Sequence, residues 1–397
     1  MRARPKPWLA ASASIQPTIL TLAAFFLPMK AFAVSAGGQS IYLPYLALVP
    51  VAAIFLVPLT GIYLRYFGSA TLLVFGLSLI YFCRSGFDPT VFVFGAKIAV
   101  TLAMSALYIH LLRVDERAVM RYLYAGIAVS VAYMLYQAAS SMVFGGGLPF
   151  TQIAALDIGR GIGARFGFVR VTGFTEEPSY IAVILVGAAL MFNTFGNRSG
   201  ESQKRRVAVI ILGLLLCTSN NLFATLPLLA LFSLFYYLRV PFLFFVAFYL
   251  ANLFVAPKLL NLDESFFARF SSYSQFLNLP DTQWWFGIGF NRYSTLDAAQ
   301  YVSPEGLPGL VVSSIASLWG GLLLEGGIVF TTLFCGYVSR VCTEARSAAG
   351  YSLVAILIML ANYYSPWWPI VSLALAYAIV SREPFGATRA SLESSPS

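Results

Sequence analysis

The sequence predicts an all-α polytopic membrane protein: about twelve transmembrane helices in one domain over residues 1–397, with two long external loops. Three observations predict it. Hydrophobic residues make up 59% of the chain and its mean hydropathy is +0.79, more apolar surface than a soluble domain of this length can bury. Apolar runs approaching the roughly 20 residues that a bilayer requires recur from end to end. Charge is scarce, 10% of residues, and sits mostly between those runs.

A basic Met1–Lys6 leads into an apolar run that ends in Ala31-Phe32-Ala33. That is the pattern of a secretory signal, but the rest of the chain is itself polytopic, so 13–33 reads as an uncleaved first crossing. Crossings follow at 42–63, 68–83, 90–112 and 121–143, then a first external loop at about 144–178 that opens with Gly145-Gly146-Gly147. Next come 179–196, 206–219 and 221–238, the last two split by Cys217-Thr218-Ser219-Asn220-Asn221, which reads as a turn or as the polar floor of a sugar site. The crossing at 240–256 precedes the second external loop, at about 257–311. Crossings at 312–337, 350–365 and 367–381 follow; the last two, like 206–219 and 221–238, are short enough for re-entrant pairs. The tail at about 383–397 is polar and expected to be disordered.

Orientation follows from the cations. With the N-terminus inside, sixteen of the 25 Lys and Arg residues fall in cytoplasmic segments, among them Arg65, Arg113, Arg117, Arg198, Arg206, Arg340 and Arg382. Eight fall outside: Lys30, Arg84, Arg160, Arg165, Arg170, Lys258, Arg269 and Arg292. Topology therefore accounts for the net charge of +9, and no nucleic-acid partner is implied. Lys97 and Glu325 lie inside crossings, where they pair, line a polar cavity, or let Lys97 snorkel outward. Four scattered cysteines and one histidine, His110, give no His/Cys metal site, and neither metal nor cofactor is expected.

The loops carry the chemistry. Arg160, Arg165 and Arg170 are spaced by five. Headgroup anchoring would explain them, but lysine anchors as well, and the guanidinium fork suits a phosphate bidentately. Glu176 and Glu177 stand before Pro178-Ser179, where carboxylates favour a helix start. The sharper reading makes one of them a general base or an organiser of arginine. In the second loop, Asp263-Glu264-Ser265 heads an amphipathic run, Phe266–Phe270, that reads as a short helix lying at the surface. Trp284-Trp285-Phe286 suits the headgroup zone. Gly287-Ile288-Gly289 lets backbone approach a ligand closely; it lacks the third glycine and preceding strand of a dinucleotide fingerprint.

The stretch Arg170–Ser179, with Phe286–Phe290 and Leu324-Glu325-Gly326-Gly327-Ile328, resembles in order and placement the elements of the Wzy-type polysaccharide repeat-unit polymerases, in the superfamily that also holds O-antigen ligases. The resemblance spans the whole layout and implies a GT-C-like, metal-independent glycosyltransferase of the bacterial inner membrane, working at the periplasmic or outer face. Its substrates would be undecaprenyl-pyrophosphate-linked glycans, with membrane lipids, a chain-length regulator and a flippase as further partners. It implies Arg170, Glu177 and Arg269 as catalytic residues, and Arg160, Arg165, Glu176, Tyr180, Tyr273, Asn291 and Arg292 as substrate-binding ones. The ligase branch is expected to use a histidine in the large external loop, and this chain has none there. The alternatives are a ligase-like transferase and a lipid-linked sugar flippase or other transporter.

Overall fold

The computed structural model describes residues 23–29, 33–36, 39–42, 56–84, 86–144, 163–165, 168–175, 178–217, 220–259, 264–290, 292, 317–344, 349–360 and 369–383. Helices dominate: α1 (Leu56–Arg84), α2 (Val91–Val143), α3 (Pro178–Ser199), α4 (Lys204–Cys217), α5 (Asn220–Tyr237) and α6 (Pro241–Leu259), then α7 (Glu264–Leu277), the single turn α8 (Asp281–Trp284), α9 (Leu318–Glu344), α10 (Ala349–Met359) and α11 (Pro369–Val380). Two antiparallel ribbons accompany them, β1 (Ala33–Ala36) with β2 (Gln39–Tyr42), and β3 (Gly163–Arg165) with β4 (Phe168–Arg170). Among the described residues, α1, α2, α3, α6 and α9 are long and apolar enough to cross a membrane. The fold is thus that of an all-α, multi-pass membrane protein.

Two helices depart from the expected breaks. Residues 56–63, expected to end one crossing, are the first turns of the helix that contains 68–83. Arg65 does not mark a turn. It stands about 28 Å along the helix axis from Arg84 at 1.5 Å per residue, close to the hydrocarbon thickness, so the two arginines flank one apolar stretch of membrane length. In α2, by contrast, the turn expected between 112 and 121 is present. Asp115 leaves the helical region (φ −153°, ψ 84°), and its Oδ1 accepts the Ala118 N–H at 2.9 Å as an N-cap of the second arm.

The contacts order the helices into a bundle with two distinct ends. α1 runs antiparallel to the first arm of α2: Gly95 meets Ser78 and Val74, and the Arg113 Nη2 donates to the Tyr66 hydroxyl. The second arm returns antiparallel to α3, with Tyr124 near Phe192 at one level and Glu116 bonded to Arg198 at the other. α4 leans on both, its Gly213 against Val131 and Leu185. α11 lies along α2 through Ser372 Oγ donating to the Thr101 carbonyl and Tyr377 OH donating to Glu116 Oε1. Residues 23–29 pack inside as well, the Phe25 backbone resting on Gly126.

The lower end collects charge. Arg113 pairs with Glu383, Arg198 with Glu116 at 3.1 Å, Arg117 with Glu201 at 3.2 Å, and Arg382 with Glu344. The upper end holds Arg84, Asp88, the last turns of α2, the start of α3 and the break in α9, whose first half folds back so that Trp319 meets Phe334 with ring centroids 6.0 Å apart. The second-loop helix is longer and deeper than the surface helix expected at 266–270. α7 runs Glu264–Leu277, and Ser271, Ser272, Tyr273, Gln275 and Phe276 are buried. The reason is Gly320, which admits Ser272 and Tyr273 onto the α9 backbone.

Candidate functional site at the upper end

The first part of the site is the joint between β4 and α3. The ribbon register opposes Gly163 to Arg170 and Arg165 to Phe168, so Arg165 and Arg170 occupy positions on one face of the ribbon. This ribbon lies inside the first external loop, where the sequence showed no regular element. Beyond Arg170 the chain enters the protein: Val171, Thr172 and Thr175 are fully buried. Val171 N–H donates to the Leu216 carbonyl at 3.3 Å. Thr172 N–H and Gly173 N–H both donate to Gln137 Oε1, at 3.2 and 2.9 Å. The Thr175 hydroxyl closes the turn on the Thr172 carbonyl at 2.6 Å, and Phe174 stacks on Tyr133 with ring centroids 4.3 Å apart. Pro178 then starts α3, as its fixed φ suits.

The second part is where the large loop meets α9. The helix breaks at Gly327 (φ 68°, ψ −173°), and the loop backbone fills the break. Ile288 N–H donates to the Leu324 carbonyl, Gly289 N–H to the Glu325 carbonyl, and Val329 N–H to the Trp285 carbonyl, each at 3.0 Å. Tyr81 OH donates to the Gly326 carbonyl at 3.1 Å. Four of the groups at the break, the Leu324, Glu325 and Gly326 carbonyls and the Val329 N–H, are thus met by loop backbone and by one hydroxyl, as a membrane interior favours. Glycine is needed on both sides: a Cβ at Gly287 would stand 2.5 Å from the Glu325 oxygen, and one at Gly327 2.5 Å from the Trp285 oxygen. Phe290 locks the contact between Phe94, Tyr81 and Phe330, with centroids at 4.3, 4.9 and 4.9 Å. The Gly287-Ile288-Gly289 turn, expected to approach a ligand, approaches the α9 backbone instead.

The remaining expected residues divide clearly. Tyr180 is half-buried in the first turn of α3. Arg269 belongs to the first half of α7, one turn before Tyr273. Tyr273, expected to bind substrate, is 2% exposed and packs between Gly320 and Tyr249, where it serves the architecture. Arg292 donates from Nη1 to Asp88 Oδ2 at 2.7 Å, which ties the large loop to the α1–α2 turn. The Asp88 carboxyl is held below the usual carboxylate range, first by the Thr90 N–H and hydroxyl, then by Arg292. Arg160, Glu176, Glu177 and Asn291 lie outside the described residues, as do the side chains of Arg165, Arg170 and Arg269. Glu325, in α9, is 2% exposed.

Sequence reasoning missed Gln137, Tyr81 and Asp88. Gln137 had a signal: a primary amide within an otherwise apolar crossing is costly unless it is bonded. Among the described residues no cluster of three or more His, Cys, Asp or Glu is gathered to hold a metal ion. No family model matches the chain, and no curated protein matches it.

Proposed function

We propose that this protein is a membrane glycosyltransferase that polymerises undecaprenyl-pyrophosphate-linked oligosaccharide repeat units at the outer face of the bacterial inner membrane. The whole chain would cross about twelve times in a GT-C-like arrangement. One observation carries the reading. The Arg170–Pro178 joint and the Phe286–Phe290 turn come to the same end of the bundle, and that turn bonds directly to Leu324–Val329. These are the three stretches on which the family resemblance rests. Sidedness supports it: the cations read as cytoplasmic, including Arg113, Arg117, Arg198 and Arg382, gather at the opposite end, and the positive-inside rule makes that end cytoplasmic.

In the proposed reaction a sugar hydroxyl of the acceptor unit attacks the anomeric carbon of the donor glycan. A glycosidic C–O bond forms, the C–O bond to the lipid pyrophosphate breaks, and the hydroxyl proton passes to Glu177. Arg170 and Arg269 balance the charge that develops on the leaving pyrophosphate, the largest electrostatic demand of the step. Arg160, Arg165, Glu176, Tyr180, Asn291 and Arg292 hold the two substrates. The lipid tails stay in the membrane.

A transporter is the second reading, favoured by the break in α9, because broken helices mark many transport sites. Against it, three carbonyls at this break, those of Leu324, Glu325 and Gly326, are already bonded to the loop and to Tyr81. The test is purified wild-type protein in vesicles with synthetic lipid-linked repeat units and neither metal nor nucleotide. Long glycan is expected. Translocation of the lipids without polymer would overturn the transferase reading.

A further inference from the structure

Gln137 is wholly buried in the second arm of α2, and its side chain is committed to another segment. A leucine would pack in the same place without the desolvation cost of an amide. The amide is explained by what it meets. Thr172 N–H and Gly173 N–H point at the same oxygen, which uses both lone pairs of Oε1. The orientation is forced, since an amide nitrogen would face two donors. Nε2 then lies 3.4 Å from the Thr172 hydroxyl, which itself donates to the Gly173 carbonyl. Residues 171–175 belong to neither helix nor strand, so no regular ladder is available for these two donors. Without Gln137 both would be buried and unpaired.

We infer that Gln137 is a positioning residue for the proposed reaction: it fixes residues 171–175, the segment that follows Arg170 and leads toward α3. The inference rests on the transferase reading above. Its geometry is simple. Arg170 is two residues before Thr172, so its Cα lies within about 7.6 Å of the anchored one. Glu176 follows Thr175 directly, and the Thr175 hydroxyl is bonded back to Thr172. Tyr133 and the Leu216 carbonyl grip the same five residues from α2 and α4. One side chain on a rigid helix thus anchors the segment that follows Arg170, and displacement by about 1 Å at a reacting centre costs on the order of a hundredfold in rate.

The experiment has two readouts, one of them independent of activity. Trypsin cleaves after Arg170 only when the Val171 end is free, and here Val171 is buried and its N–H bonded. In purified folded protein, Gln137→Leu is expected to speed cleavage at Arg170 about tenfold or more, since opening now costs two fewer hydrogen bonds. The same variant is expected to lose about a hundredfold in kcat, with KM for the lipid-linked unit little changed. Gln137→Glu keeps an oxygen for both N–H groups and is expected to retain protection and most of the activity. Should Gln137→Leu fail to fold, Gln137→Asn, shorter by one methylene, carries the same expectations. Unchanged protection of Arg170 in the folded variant overturns the inference whatever the activity. So does faster cleavage with wild-type kcat, because Gln137 would then hold the segment without serving the reaction. A wild type that makes no polymer while its Gln137→Leu variant is cleaved faster overturns the transferase reading, and with it the role in catalysis, but leaves the anchoring standing.

Discussion

At the lower end of the bundle, Arg113 reaches Glu383 and the Tyr66 hydroxyl, and Arg198 reaches Glu116 and the Glu383 carbonyl. Glu116 takes a further hydrogen bond from Tyr377. Each of these charges has its counterpart within the protein, and together they tie α1, α2, α3 and the chain after α11. At the upper end the order comes from backbone instead. Gln137 and Leu216 hold the joint after Arg170, and the turn at Gly287 fills the break at Gly327. The difference teaches that charge does different work at the two ends. Below, ion pairs tie the helices to one another; above, buried amides and glycines do most of the structural work, with the Arg292–Asp88 pair beside them.

Paired substitutions break or sharpen that contrast. The largest effect is expected from Glu177→Gln. As the proposed general base, Glu177 contributes roughly a hundred- to ten-thousandfold in rate, and the nearly isosteric amide removes it without disturbing the fold. Polymer length on gels and initial rates measure it; full activity would move the base to Glu176 or Asp263. Next, Arg198→Met and Arg170→Lys should part company. Arg198→Met strands the buried Glu116, and breaking such a pair costs roughly 3–5 kcal/mol of stability, read as a lowered melting temperature in detergent. Arg170→Lys keeps the charge but loses the bidentate fork, and is expected to lose about a hundredfold in rate at an unchanged melting temperature.

Gly327→Ala comes third. It places an L-residue at φ 68° against the Trp285 carbonyl, a strain of about 1–3 kcal/mol that should loosen the large loop from α9. Hydrogen exchange at Ile288 and Gly289 should quicken, while the lower end keeps its protection. A variant with unchanged exchange at these amides would show that other contacts, such as those of Phe290 and the Arg292–Asp88 pair, hold the loop.

The smallest effect concerns pH. Asp88 is held below its ordinary value, so what it contributes is fully present above the unfolded pKa, about 3.9, and is lost only as pH falls through the lower folded value. The tie between Asp88 and Arg292 should therefore persist from neutral pH to about pH 4 and open below it. Exchange at Thr90 N–H, which donates to Asp88, reports the opening, and Asp88→Asn should bring it to neutral pH.

Much of the outline was legible in the sequence. The turn inside α2 was readable because Arg113, Arg117 and Arg121 interrupt an apolar run, and Asp115 is a good N-cap. Arg65 looked similar but was misleading: a single arginine, flanked by apolar residues, ends a crossing as readily as it turns the chain. The ribbon at β3–β4 left no readable pattern, since three-residue strands are too short for alternation to register. Tyr273 and the glycines at 287 and 289 looked like ligand contacts because glycine and tyrosine serve close packing and ligand binding equally well.

The sequence by itself determined the membrane class, the places of most helices and the division of charge between the two ends. These depend on local composition, and hydrophobicity sums along a segment whatever it packs against. Tertiary structure alone decided that Gly287 meets Gly327, that Gln137 grips Thr172 and Gly173, and that Tyr81 closes the break in α9. Each is a contact between segments distant in the chain, made by residue types that have no preferred partner until the bundle brings one within bonding distance.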